Sequence, residues 1–342
     1  MTDNLLEQLK HVDPLDTNAV RRRVPPTERL IEILGSEPMS EPPRRHRLRV
    51  RGVVLAAAAT AAIVALASSL PGRGGAAPEA ASALESVAAI ASAEAAPGTA
   101  GDISYYRTVS SLDGGSFDGR RADPFAWQQQ MTTEDWVASD GSGRRRTIVG
   151  EIEFADGQDE RDWRASGSPR LGPAPGTITD TRFGPGELNG VPYEGGLPRV
   201  SELPANADAL EGIFRNEHAR SSASVPVDAK LFEYAASVLL STGSRPDLRA
   251  AVYELLARID GVQLVDEVED PLGRDGTGVS LDIDYSGAPT KHTVIFDSET
   301  SYPLAYTEEP IPPAPDHLVI TMQPGYIALA GSGQVRDLGT RP

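Results

Sequence analysis

The spacing of apolar residues along the chain predicts helices that precede and interrupt a set of β-strands. Apolar residues recur at intervals of three and four, the period of a helix with one buried face, over 79–96, from near 204 to about 218, over 228–240 and over 244–261. After Val262 the period changes to two, and Val279, Leu281 and Ile283 alternate with polar residues. Such alternation is typical of an antiparallel strand with one buried and one exposed face.

Shorter strand signals complete the pattern. Strands are predicted over 103–111, over 136–138 and 147–149 on either side of a turn at 140–143, and over 293–296, 304–306 and 318–322. Residues 156–198 are rich in Gly, Pro, Asp and Arg, so we expect an irregular segment there. The last helix should begin with Ser244 as N-cap, with Asp247 three residues later, and stop at Gly261. The order of predicted helices and strands along the chain predicts an α+β domain with helices packed on one face of an antiparallel sheet.

A different pattern lies nearer the N-terminus. An uncharged, mostly apolar run extends from Gly52 to Leu70, and Leu55, Ile63 and Leu66 are among its most hydrophobic members. A helix of this length is roughly 28 Å long, close to the roughly 30 Å hydrocarbon core of a bilayer. The run therefore predicts a transmembrane helix, although its many alanines make it only moderately hydrophobic.

A basic cluster directly precedes this run and predicts its orientation. The cluster consists of Arg44, Arg45, Arg47, Arg49 and Arg51. Such residues stay on the cytoplasmic side, so we expect a single-pass protein of the cell membrane with its N-terminus inside and its C-terminal domain outside. A signal peptide cleaved near Gly75–Ala77 and a buried helix of a soluble domain are the alternatives. The length of the run and of the chain before it favours an uncleaved anchor.

The anchor divides the chain into four parts. Residues 1–51 form a cytoplasmic tail, 52–70 the membrane helix, 71–78 a linker and 79–342 an extracytoplasmic domain. The tail carries two short sets of apolar residues at helical spacing, Leu5, Leu6 and Leu9 and then Leu30, Ile31 and Leu34. Either the tail is largely flexible, or these residues order against a cytoplasmic partner protein.

Composition narrows the classes of function. Residues 1–51 carry ten Lys/Arg and eight Asp/Glu, a net charge of +2, whereas the remainder carries 22 against 41, a net charge of −19. An acidic outer part argues against direct nucleic-acid binding. The chain has no Cys, which excludes disulfides, thiolate-zinc sites and a cysteine nucleophile.

No motif points to an enzyme, and we predict no catalytic, cofactor-binding or metal-binding residue. The patterns of serine hydrolases, P-loops and zinc proteases do not occur. The five histidines show no metal-ligand spacing and are interpreted as core or surface residues. Asp282 and Asp284 match part of a calcium loop, but strand alternation explains them as well. The acidic residues between Asp156 and Asp162 are interpreted as a solvated loop.

Several short motifs in a fixed order suggest a family. They are Ala83–Val87 in the first helix, Tyr105–Arg107, Trp136 with the turn Asp140–Arg144, Ile259–Val262 and the late turn Phe296–Thr300. In these motifs and their order, the chain resembles an uncharacterised family of single-pass membrane proteins of actinobacteria, which are often encoded beside extracytoplasmic-function sigma factors. The architecture is more distantly similar to the half-barrel of lipoprotein carriers and sigma-E regulators, in which a curved antiparallel sheet cradles helices.

The resemblance implies two functions of different classes. The first is a membrane-anchored, non-enzymatic regulator similar to an anti-sigma factor, in which residues 1–51 bind a sigma factor or another cytoplasmic protein. The absence of Cys removes the zinc-binding motif that many anti-sigma factors contain. The alternative is a half-barrel that binds or carries a lipid or lipoprotein, with an apolar ligand in the outer domain.

Overall fold

The computed structural model describes residues 75–94, 103–114, 125–187, 197–221, 225–241, 245–285, 288–311 and 325–342. The tail 1–51, the predicted membrane run 52–70 and most of the predicted linker lie outside these residues, as do Ser244 and the predicted strand 318–322. Among the residues that are described, none of the helices combines the length and apolarity needed to cross a bilayer.

The described strands form one open antiparallel sheet of nine, which confirms the predicted α+β class. They are β1 (Ile103–Gly114), β2 (Trp127–Val137), β3 (Gly143–Phe154), β4 (Ile178–Phe183), β5 (Gln263–Glu269), β6 (Asp275–Tyr285), β7 (Ala288–Phe296), β8 (Pro303–Pro310) and β9 (Gly325–Val335). Their order is β4-β3-β2-β1-β9-β8-β7-β6-β5. The sheet thus consists of two meanders that join where β1 pairs with β9.

The helices supply most of the core. They are α1 (Pro78–Ala93), α2 (Gly157–Ala165), α3 (Ala207–Ser221), α4 (Val227–Leu239) and α5 (Pro246–Leu256). Helix α5 lies between α1 and the other helices of the inserted bundle, and both α1 and α4 contact the β5–β6 part of the sheet. The predicted stripe of α5, from Leu248 through Leu256 to Ile259, is entirely buried. Its side chains share one hydrophobic core with Val279 and Phe296 of the sheet.

The prediction of an irregular segment over 156–198 is wrong in two places. Residues Gly157–Ala165 form α2, and Ile178–Phe183 form the edge strand β4. The carboxylate of Asp156 caps α2 by accepting hydrogen bonds from the backbone N–H groups of Gln158 and Asp159. The acidic residues interpreted as a solvated loop therefore begin a helix, where carboxylates also complement the helix dipole.

The two faces of the sheet differ from the simple prediction of one wet face. Tyr106 packs against the helix-side core, whereas its neighbour Tyr105 points the other way and packs on Trp136 and Val335. A further apolar cluster, which includes Ile295 and Ala328, is buried on that opposite face. Alternation identifies buried positions, but it does not say that a strand buries only one of its faces.

Candidate functional site

A small cavity opens where the helices meet the centre of the sheet, and we call it the Arg249 cavity. Its volume is about 120 Å³. Its lining includes Glu94, Tyr106, Arg249, Tyr302, Ser332 and Gln334. The end of α1, the first turn of α5, the turn before β8, and strands β1 and β9 therefore all contribute to it, which makes it a meeting point of both halves of the sheet.

Arg249 is the more deeply buried of the two charged residues that line this cavity. Its side chain is only 4% exposed and forms an ion pair with the carboxylate of Glu94. The guanidinium carbon lies 4.6 Å from the centroid of the Tyr302 ring, which is a favourable cation–π distance. A buried guanidinium is stable only with a paired anion, so this site requires a carboxylate or its equivalent.

A second polar group, the His292 cluster, lies on the inner face of the sheet. His292 is 1% exposed, and its Nδ1 atom lies 2.5 Å from the Tyr306 hydroxyl and 3.9 Å from a carboxylate oxygen of Glu308. Burial lowers the pKa of His292 to about 4, although the carboxylates of Glu233 and Asp282 oppose this effect. The imidazole is therefore neutral at neutral pH, which fits a structural residue that responds to acid.

A third polar cluster joins β2 to the residues after β9 on the opposite face. Arg341 donates two hydrogen bonds, of 2.6 and 2.8 Å, to the buried carboxylate of Glu134, and Tyr105 donates a third. Burial alone would raise the pKa of Glu134, but the hydrogen bonds from Arg341 and Tyr105 outweigh it and lower that pKa. The indole N–H of Trp136 donates to the backbone carbonyl of Thr340. These contacts fix the C-terminal segment against the sheet.

The structure leaves the predicted site residues untested. The membrane, topology and partner-binding residues all lie outside the described part of the chain. Asp282 and Asp284 are exposed on β6, and within the described ranges no group of three His, Asp or Glu side chains is placed to hold a metal ion.

The Arg249 cavity was not predicted from the sequence. Arg249 occurs directly beside the apolar stripe of α5. The sequence signal for a buried site was this charged residue, because the helix around it is buried on nearly all sides. Its partner Glu94 is 155 positions away, at the end of α1, and no local pattern connects the two.

The comparisons with known proteins identify no relative. No family model, no curated protein and no solved structure matches this chain.

Proposed function

We propose that this protein is a membrane-anchored, non-enzymatic regulator similar to an anti-sigma factor. In this proposal 52–70 cross the membrane, 79–342 form an extracytoplasmic sensing domain with a curved sheet, and 1–51 bind a cytoplasmic partner. The observation that carries the proposal is the Arg249 cavity, a small site that contains a buried charge beside the apolar core. A site of this kind suits ligand sensing better than the carriage of a bulky cargo.

The packing of the interior favours the regulator over the lipid carrier. A lipid cavity between the sheet and the helices would have Val279 and Leu256 among its walls, yet both are 0% exposed and pack in the same core. The aromatic residues Tyr105 and Trp136 lie on the opposite face of the sheet and contribute nothing to such a cavity. A second space, between α1 and the β5–β6 hairpin, has a volume of about 200 Å³. Both volumes are below the roughly 300–1,000 Å³ of pockets that enclose a drug-sized ligand, so neither space would enclose a lipid chain.

The membrane topology can be tested with a reporter that is active only in the cytoplasm. Fused after residue 40, the reporter should be active, because the arginine cluster holds this side inside. Fused after residue 342, it should be inactive. The reverse pattern, or release of the outer domain by cleavage near Ala77, would contradict the anchor.

The regulator proposal predicts a specific cytoplasmic partner. Affinity capture with residues 1–51 should recover a sigma factor or another transcriptional regulator, because the two apolar sets of the tail would dock on its surface. The matched control is the same tail with Leu5, Leu6 and Leu9 changed to Asp, which should lose the partner. Equal recovery with both tails, or none with either, would argue against this role.

A further inference from the structure

The buried positive charge of Arg249 determines which kind of group its cavity can hold. The side chain is 4% exposed, so its guanidinium has lost nearly all contact with bulk water. A desolvated cation without an anion is unfavourable, and the site therefore favours an occupant that carries a negative charge. Arg249 also lies in the first turn of α5, where the helix dipole adds a further preference for an anion.

Glu94 supplies that negative group from the solvent side. It directly follows the last residue of α1, and its side chain is 31% exposed, far more than that of Arg249. Its other contact, from the Tyr302 hydroxyl, is 3.5 Å long and therefore weak. A change of rotamer would take the Glu94 carboxylate out into water without disturbing the helix, whereas Arg249 has no such route.

The space beside the pair limits what could replace Glu94. The volume of about 120 Å³ is close to that of an engineered cavity of about 150 Å³ that binds benzene, a molecule of six heavy atoms. Ser332 on β9 is the direct register partner of Tyr106 on β1, so these two residues line the same sheet face. They lie beside Gln334, whose amide donates to the Ser104 hydroxyl. The lining thus offers hydrogen bonds and an aromatic surface to a small polar molecule, and it excludes an extended acyl chain.

From these features we infer that the Arg249 cavity binds a short monocarboxylate of about six non-hydrogen atoms or fewer. The ligand carboxylate takes the place of the Glu94 carboxylate on the guanidinium, and the ligand body fills the adjoining space. This inference rests on the proposed sensing role for its biological meaning and names the ligand class of that site. In the ligand-bound state the Glu94 side chain turns outward, so occupancy is coupled to the end of α1.

Propionate is the probe, and its neutral isostere propionamide is the matched control ligand. The full chain is purified in detergent, and its unfolding midpoint is followed by tryptophan fluorescence, since all three tryptophans lie after residue 79. A ligand that binds only the native state raises this midpoint in a saturable way. Line broadening of ¹³C-labelled propionate reports binding independently of unfolding.

Measurements on four proteins distinguish binding in the Arg249 cavity from general effects of added salt. The wild type should respond saturably to propionate and not to propionamide. Glu94→Gln, which removes the competing carboxylate, should bind propionate at least about tenfold more tightly. Arg249→Met should lose the response, and Arg258→Gln should keep it, because Arg258 is exposed and pairs with Asp208 elsewhere.

Three results would overturn the inference. They are equal effects of propionate and propionamide, an unchanged affinity in Glu94→Gln, and binding by Glu94→Gln without any binding by the wild type. The last would mean that propionate merely fills a space created by the substitution. If Arg249→Met does not fold, Glu94→Gln and propionamide still decide the matter. Capture with the tail is independent of all these results, so failure of the ligand does not mean failure of the regulator.

Discussion

Leu255→Asp should lower the free energy of unfolding of the outer domain by more than about 3 kcal/mol. Leu255 is 1% exposed in the shared core of helices and sheet, so the new carboxylate would be buried among apolar side chains. It would remain there without a cationic partner or be protonated at a cost, and the packing of the leucine would be lost as well. Denaturant unfolding monitored by tryptophan fluorescence measures the change.

The neighbouring residue provides the matched control. Glu254 is exposed on the same helix, so Glu254→Asp introduces the same side chain without burial. Its cost should be limited to the small difference in helix propensity, a few tenths of a kcal/mol. If Leu255→Asp melts within a degree or two of the wild type, the register of α5 is wrong.

Acid should destabilise the domain through His292, by up to about 3 kcal/mol between pH 6.5 and pH 4. The pKa of His292 is about 4 in the folded protein and 6.5 in the unfolded chain. Between these values the unfolded chain binds a proton that the folded protein excludes, so stability falls as pH falls. Well above pH 6.5 both states are neutral at this position and the full stability is present.

A substitution isolates this contribution from those of the carboxylates. His292→Gln removes the titrating group and retains a side chain that can hydrogen-bond to Tyr306. The difference in unfolding free energy between wild type and variant should be constant above pH 7 and should change by about 3 kcal/mol in favour of the variant by pH 4. Parallel stability curves over the whole range would show that His292 does not titrate as proposed.

The elements that the sequence predicted best are those with strong local signals. The stripe of α5 from Leu248 to Ile259 and the hairpin turn at Asp140–Gly143 both follow from the spacing and turn chemistry of adjacent residues. Helix α2 was missed because its nine residues contain almost no apolar stripe, and its start depends on the cap at Asp156. Short polar helices of this kind are formed by capping and by docking against the rest of the fold.

The candidate site was beyond prediction for a different reason. It requires that Glu94, Arg249 and Tyr302 meet, and each lies on a different element with no pattern that links them. The same is true of which sheet face each of Tyr105 and Tyr106 occupies. Alternation along the strand places the two side chains on opposite faces, but it does not indicate which face the helices cover. Both questions are decided by how the helices pack against each other and against the sheet.

The pairing of β1 with β9 has a consequence for how this domain folds. Ser104 and Gln334 hydrogen-bond across the two strands although they are 230 positions apart, and the hairpins on either side are local. Each meander can thus form early from residues that are close in sequence. The pairing of β1 with β9 forms later, because it requires the long chain segment between them to close into a loop. As the chain leaves the ribosome, β1 remains an open edge until β9 has been synthesised. We expect folding to be slow and to end at the centre of the sheet, with the two half-sheets as the intermediate most exposed to mispairing.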